Sequence, residues 1–438
     1  MTLNLECGLI KYLCNLNDVF SMRILWLSNL VFTDEPLKTT ASWLMPLAEG
    51  ISEVDGIDVV NVSQGDVRET IKYLHHKITQ YVIPVFKTRK VSNIPHRLSC
   101  EAVAQIVKDT NPDIIHVWGT ESIWANMITK GVFSNKPTLI DIQGLLHIYY
   151  YYYYGGLSLD EQLACIHTKE FLMPWRNLIF KKQNFRKRGL VETESLKKYQ
   201  HISYQSEWVK NQLQMVNPLA QYYPTRIMLR EAFYLSEKWH YHFNPQHPII
   251  FTICSGAIPY KGIHVLLKAA NVLKQKYDNL EVRIAGQMFI GNRMLDGYSV
   301  FIGKLIKKYG LTNHVTLLGP IDENEIMHEE LMADVCVIPS FVETYCLALA
   351  EAMIVGCPTV VSYTSALPYT SIPESESLFY NSIDFVQCAA QIDKLFCNKE
   401  LANVMSVNSI KHREMDNDRE EVIKTQINIY KNILTGRS

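Results

Sequence analysis

Residues 334–361 read DVCVIPSFVETYCLALAEAMIVGCPTVV, and the fold follows from how that stretch is parsed. Val335 to Ile338 is a short β-branched run, suited to a strand buried on both faces. Pro339 and Ser340 punctuate it, and Leu347 to Val355 then predicts a buried, Ala-rich helix closed by Gly356. Two acids interrupt this apolar setting, Glu343 at the strand's carboxyl end and Glu351 eight residues later. A strand-to-helix turn at the carboxyl edge of an open α/β sheet is where such folds bind ligands. The helix start offers unpaired amides and a positive dipole end, which suits a phosphate. An acid would repel that phosphate, so Glu343 is read as accepting hydroxyl protons from a neutral, polyhydroxylated group. Two solvated helix-surface glutamates are the plainer alternative, and periodicity leaves the choice open.

The same stretch resembles the signature of the family 4 retaining glycosyltransferases, which have the GT-B fold. Its elements here are Glu343, Glu351, Ala352, Met353, Gly356, Pro358, Val360 and Val361. The resemblance implies that Glu343 contacts the donor sugar's hydroxyls and Glu351 the nucleotide ribose. It assigns the donor diphosphate to the segment Thr344, Tyr345, Cys346 and Leu347. The family usually carries glycines in that turn, and this chain does not.

A second cluster, SGAIPYKGIHVLLKAA at 255–270, joins the strand Ile249 to Cys254 to an amphipathic helix through a Gly/Pro turn. Lys261 in that turn reads by itself as a solvated loop lysine. It can equally neutralise a phosphate leaving group beside free helix amides. In the family a Lys-Gly at this place contacts the donor diphosphate, which makes Lys261 a catalytic candidate and Gly262 a donor-binding one. Gly256 stands where relatives have an arginine. Gly286 and Gly319, each ending a strand, match further family turns around the nucleotide.

The fold class implied is α/β, with two doubly wound Rossmann-like domains facing a cleft. At 438 residues the chain exceeds the usual size of a single core. Apolar runs alternate with helical patterns from Arg23 onward. The expected strands are 24–28, 58–62, 113–118, 138–142 and 201–204, then 249–254, 281–285, 314–318, 335–338 and 359–362. The expected division is an extension over 1–21, with Met22 as the functional first residue, and an acceptor-side domain over 22–240. A nucleotide-sugar-binding domain follows over 248–410, with an interdomain linker around 238–248. A terminal helix over 411–438 is expected to return to the first domain.

A composition of 47% hydrophobic and 20% charged residues excludes a disordered chain, and a net charge of −1 argues against a nucleic-acid binder. The ten cysteines show no C-x-x-C pair, so free thiols of a cytoplasmic protein are the reading. No apolar run is long enough for a transmembrane helix. The only Asp-x-Asp, Asp416 and Asp418, falls on the charged terminal helix, so neither a metal nor any cofactor beyond the nucleotide-sugar co-substrate is indicated.

In the first domain, IDIQG (140–144) places Gln143 where many relatives have a histidine that touches the donor sugar. HVWGTES (116–122) resembles a family loop, and with Gln143 it makes Gly119 and Glu121 the candidates for sugar or acceptor contact. His116 and His147 read as ordinary packed or surface histidines. Residues 171–188, FLMPWRNLIFKKQNFRKR, suit either docking on an anionic membrane surface or a partly buried helix with a solvated basic end. The run Tyr149 to Tyr154 reads as an aromatic platform for sugars or as a packed loop.

The function implied is transfer of a sugar, with retention, from a nucleotide-diphosphate sugar to a glycan or lipid-linked glycan. Cell-surface polysaccharide or glycolipid synthesis is the setting expected, with a peripheral place on the inner face of the membrane. A non-catalytic, nucleotide-sugar-binding GT-B protein is the alternative, and a glycan phosphorylase can share the architecture. A dinucleotide-dependent oxidoreductase is excluded, because neither series has a G-x-G-x-x-G after its first strand.

Overall fold

The computed structural model describes residues 21–33, 43–86, 91–287 and 296–436. The expected N-terminal extension, apart from Ser21, and most of the first βα loop therefore lie outside the described residues. Two open sheets organise the chain. The first contains β1 (Met22–Leu27), β2 (Ile57–Gly65), β3 (Ile71–His75), β4 (Ile78–Pro84), β5 (Ile114–Trp118), β6 (Thr138–Asp141), β7 (His201–Tyr204) and β8 (Gln221–Pro224). Their spatial order is β3-β4-β2-β1-β5-β6-β7-β8, parallel except for the β3–β4 hairpin. The second contains β9 (Ile249–Cys254), β10 (Glu281–Gly286), β11 (Val315–Gly319), β12 (Val335–Ile338), β13 (Thr359–Ser362) and β14 (Ser377–Tyr380). It is parallel throughout, in the order β11-β10-β9-β12-β13-β14.

The expected strands are present to within one to three residues at their ends. Those missed are β3, β4, β8 and β14. The β3–β4 turn is His76-Lys77, with His76 at φ 50°, and it lacks the Asn-Gly chemistry that advertises a hairpin. Strand β8 is a short edge ending in Pro224, and β14 is four buried residues without a helix-period neighbour on its amino side.

In a doubly wound sheet the crevice forms where strand order reverses. Those points are between β1 and β5 in the first sheet and between β9 and β12 in the second. Both crevices open at carboxyl ends of strands, and the two edges meet. Thr344, after β12, donates its hydroxyl to the Gln143 carbonyl after β6 at 2.7 Å. Ser206, after β7, donates to the Thr344 carbonyl at 3.3 Å while capping the helix Glu207–Gln214.

The chain over 238–248, between the two sheets, is packed against the second. Trp239 donates its indole N–H to the Ala333 carbonyl at 2.8 Å, and Tyr241 its hydroxyl to the Phe396 carbonyl at 2.6 Å. The terminal stretch is two helices, Lys399–Asp416 and Arg419–Thr435. They break at Asn417, whose buried amide donates to the Ile227 carbonyl and the Tyr345 hydroxyl, both at 2.7 Å. Asp418 then caps the second helix, as Asp favours. Asp416 and Asp418 thus flank a break, with Asp416 paired to Arg413 at 3.1 Å. The last helix lies on the first sheet. Its Tyr430 hydroxyl accepts from Trp26 Nε1 at 3.0 Å and sits 2.7 Å from His116 Nδ1.

Candidate active site

The donor-side crevice is built by two loops. β9 and β12 lie side by side, with Ile250 opposite Val335, and Thr252 donates to the Val337 carbonyl at 2.8 Å. After β9, the turn Pro259–Lys261 leads into Gly262 at φ 72°, which starts the helix Ile263–Leu273. A Cβ on Gly262 would overlap the Pro339 carbonyl of the neighbouring loop, so the two loops can close together only with glycine there. Phe341 N–H completes the join on the Tyr260 carbonyl at 2.7 Å. Lys261 Nζ then stands 2.6 Å from Glu343 Oε1. Burial opposes the Lys261 charge, but the Glu343 carboxylate overrides it and holds the ammonium above lysine's ordinary value. Glu343 is 8% exposed, its backbone pinned by the Ser365 hydroxyl at 2.8 Å.

The turn that follows is held from both sides. Thr344 binds the first domain, as above, and the Tyr345 hydroxyl meets Arg413 at 3.2 Å and Asn417 at 2.7 Å. Cys346 takes φ 82°, a conformation that costs an L-residue roughly 1–2 kcal/mol and suits the glycine usual in the family. No side chain caps the helix Leu347–Val355, so its amino end is open to an anion.

Glu351 does not join Lys261 and Glu343. It is 2% exposed, and both of its oxygens are engaged by Arg230, at 2.7 Å from Nε and 2.8 Å from Nη2. Such a two-pronged pair is strong and directional. Glu330 lies close by, fully buried, and burial with the Glu351 charge keeps its carboxyl well above the usual range. Arg230 is one site residue that sequence reasoning missed. It sits in MLREAF between β8 and β9, and no spacing links it to Glu351 121 residues on.

On the first sheet, β5 and β6 bring Gly119, Glu121, Gln143 and Gly144 together. A Cβ on Gly119 would meet Glu121 Oε2 and Gln143 Oε1, and one on Gly144 would overlap Glu121 Oε1. Both glycines therefore make room for one carboxyl group. Burial, then the neighbouring Glu192 charge, raises Glu121 to about 7, although Arg188 and local amides oppose this. Arg188 donates to the Glu121 carbonyl oxygen at 2.6 Å. Glu192 accepts from Thr120, from the Leu146 and His147 amides, and from His147 Nδ1 at 2.6 Å. Asp141, at the end of β6, is raised to about 8 by burial, with Ser203 and Gln205 as hydrogen-bond donors. Arg188 was read only as part of the basic end of 171–188, which the structure corrects by turning it inward, and Glu192 went unread; both lie on the helix Leu178–Leu196, far along the chain.

The remaining candidates fall as follows. Gly286 and Gly319 end β10 and β11 at the same edge as Lys261. Gly256 has open space around its Cβ direction, with only Ile258 near. His116 is a core residue, kept neutral by burial between Trp26 and Trp118. The tyrosine run splits. Tyr149 is beside Glu343 and Tyr260, Tyr153 is buried, and Tyr150 and Tyr154 lie under Lys182. Among the described residues one group has metal-ligand geometry, Glu49, His75 and His76. It lies at the hairpin end of β3, on the edge opposite the crevice, and cannot touch a donor bound there.

Residues 237–412 match the family described as glycosyl transferases group 1. The match takes in most of the second sheet and its helices. Curated relatives align mainly over parts of their length. The D-inositol 3-phosphate glycosyltransferase of Corynebacterium diphtheriae is 24% identical over 170 residues, 38% of this chain and 39% of that protein. The corresponding protein of Pseudarthrobacter chlorophenolicus is 33% identical over 109 residues, 24% of each chain. The aligned part thus spans well under half of either relative. Likeness of fold extends over the whole molecule. Sucrose-phosphate synthase from Thermosynechococcus elongatus superposes with a TM-score of 0.70 at 16% identity, over 95% of this chain and 100% of that one. Anabaena HepE, solved with UDP and glucose, gives 0.63 at 14% identity, over 94% and 100%. The two sheets and their helices therefore form the GT-B architecture.

Proposed function

We propose that the protein is a retaining glycosyltransferase of the family 4 type. It moves a sugar from a nucleotide-diphosphate sugar to a glycan or lipid-linked glycan, in the making of cell-surface polysaccharide or glycolipid. The observation that carries this reading is Lys261 Nζ 2.6 Å from Glu343 Oε1, at the point where the second sheet reverses its strand order. An arriving diphosphate competes for the ammonium and releases Glu343 to accept the sugar's hydroxyl protons. Lys261 and the open helix end at Leu347 then stabilise the departing diphosphate as charge develops on it. Glu121 and Gln143 face the reaction from the first sheet, and Glu121 titrates where a proton acceptor for an incoming hydroxyl needs to. Same-face attack by that hydroxyl needs no protein nucleophile. The domain boundaries that go with this reading are an acceptor side over 22–240 and a donor side over 248–410. A cytoplasmic protein that meets its acceptor at an anionic membrane surface fits it. Among the described residues no helix is long and apolar enough to cross a membrane.

The relatives' names set the order of trial. UDP-sugars come first, since HepE was solved with UDP and glucose, followed by GDP- and ADP-sugars. Release of the nucleoside diphosphate is measured with soluble and lipid-linked glycan acceptors. Glu343→Ala should abolish release while the melting transition survives, and near-normal turnover in that variant would defeat the assignment. One pairing favours a second reading, a nucleotide-sugar-binding protein without transfer: Arg230 holds both oxygens of Glu351, the residue assigned to the ribose. Donor binding with no release from any sugar would select it.

A further inference from the structure

The segment 171–180 carries six large apolar side chains in the open. Phe171 is 79% exposed and Trp175 61%, and Leu172, Met173, Ile179 and Phe180 are exposed as well. Isolated exposed apolar residues need no explanation, but six within ten residues make a patch. The chain here runs from a short helix, Thr168–Leu172, through the turn Pro174–Arg176 into the first turn of Leu178–Leu196. At 100° per residue, Arg186 falls 20° from Ile179 on that long helix, and Lys187 falls 20° from Phe180. Both cations are exposed. The outward face therefore begins apolar and becomes basic within two turns.

The inward face of the same helix belongs to the candidate active site. Gly189 packs on the backbone of His147, Arg188 holds the Glu121 loop, and Glu192 holds the start of the helix Leu146–Tyr152. One helix thus has the crevice on one side and the exposed patch on the other.

We propose that residues 171–187 are a docking face for an anionic lipid bilayer, with the aromatic and aliphatic side chains in the headgroup boundary and Arg186 and Lys187 on lipid phosphates. The inference rests on the transferase reading, and gives it a partner: docking there holds the crevice beside a lipid-linked acceptor. Charge complementarity selects this occupant. Apolar residues followed by cations match an interface whose acyl boundary lies beneath anionic headgroups.

The test is sedimentation of the full chain with phosphatidylcholine vesicles containing phosphatidylglycerol, and with phosphatidylcholine vesicles alone. Binding is expected to the anionic vesicles and to fall with added salt. Arg186→Gln with Lys187→Gln should weaken it roughly 25-fold, about fivefold for each cation. Trp175→Ala with Phe180→Ser should reduce it at least as much. All four positions are exposed, so melting should not change, and nucleoside diphosphate release with a soluble acceptor should stay at the parent level. Equal binding to both vesicles, or none to either, overturns the proposal. So does a concentration-dependent dimer that Phe180→Ser dissolves, since the patch would then be a self-contact. Vesicle binding with no release from any donor would instead defeat the transferase reading and leave the docking face standing.

Discussion

The two edges of the cleft handle buried charge in opposite ways. On the second sheet two carboxylates have their own cations, Glu343 with Lys261 and Glu351 with Arg230, and Glu330 lies buried beside the second pair. On the first sheet Glu121, Asp141 and Glu192 crowd together, and burial lifts Glu121 to about 7 and Asp141 to about 8. The Lys261–Glu343 pair at the donor edge is placed to exchange partners with a diphosphate and a sugar. At the acceptor edge burial brings Glu121 and Asp141 toward neutrality, so those two carboxyls can take up or give a proton there. The contrast is electrostatic: Lys261 and Arg230 bond directly to carboxylate oxygens, whereas Arg188 bonds the Glu121 backbone carbonyl and not its carboxyl.

Arg230→Ala should have the largest effect on the fold. It leaves Glu351 unpaired beside Glu330, and breaking a buried pair costs about 3–5 kcal/mol, read as a lower denaturation midpoint. If Arg230→Ala keeps the parent's midpoint, the guanidinium is not what holds this edge. Lys261→Ala should lower the rate of nucleoside diphosphate release by about 10²- to 10³-fold, the usual cost of one group aimed at developing charge. A loss confined to KM would show that the lysine binds the ground state only.

Glu121→Gln tests the other edge through pH. A carboxyl raised from 4.5 to about 7 holds extra protons in the folded state. Its contribution to stability is complete below about 4.5, falls as pH rises toward 7, and is flat beyond. The melting temperature of the parent should therefore fall relative to Glu121→Gln across that window, leaving the slope due to Asp141 in both. Parallel profiles would return Glu121 to an ordinary surface acid. The smallest effect concerns the turn between the edges. Cys346→Gly should exceed Cys346→Ala in stability by about 1 kcal/mol, because only glycine tolerates φ 82° freely. An alanine variant as stable as the glycine one would mean the turn relaxes.

Most of the fold was legible because a parallel sheet buried on both faces needs short, continuous apolar runs, as in IIFTIC of β9 and VCVI of β12. The β3–β4 hairpin was not, since its outer strand is largely exposed and its turn carries His-Lys. The helix break at Asn417 was hidden for a different reason: its amide is spent on partners 190 and 72 residues away. Lys261 and Glu343 were visible through the turn residues and helix starts beside them. Arg230, Arg188 and Glu192 were not, because an arginine or glutamate in a helix or connection has the same local signature whether it is solvated or buried.

By itself the sequence determined the alternation of strands and helices, the two loops that follow β9 and β12, and the glycine that lets them close. Those are local matters, settled by the period of apolar residues and by which residue tolerates a left-handed backbone. Only the tertiary structure decided which charges meet. It gave Glu351 to Arg230 and Glu343 to Lys261, and it set three acids around the loops after β5 and β6. Electrostatic energy depends on distance and burial, and neither is written in spacing along a chain.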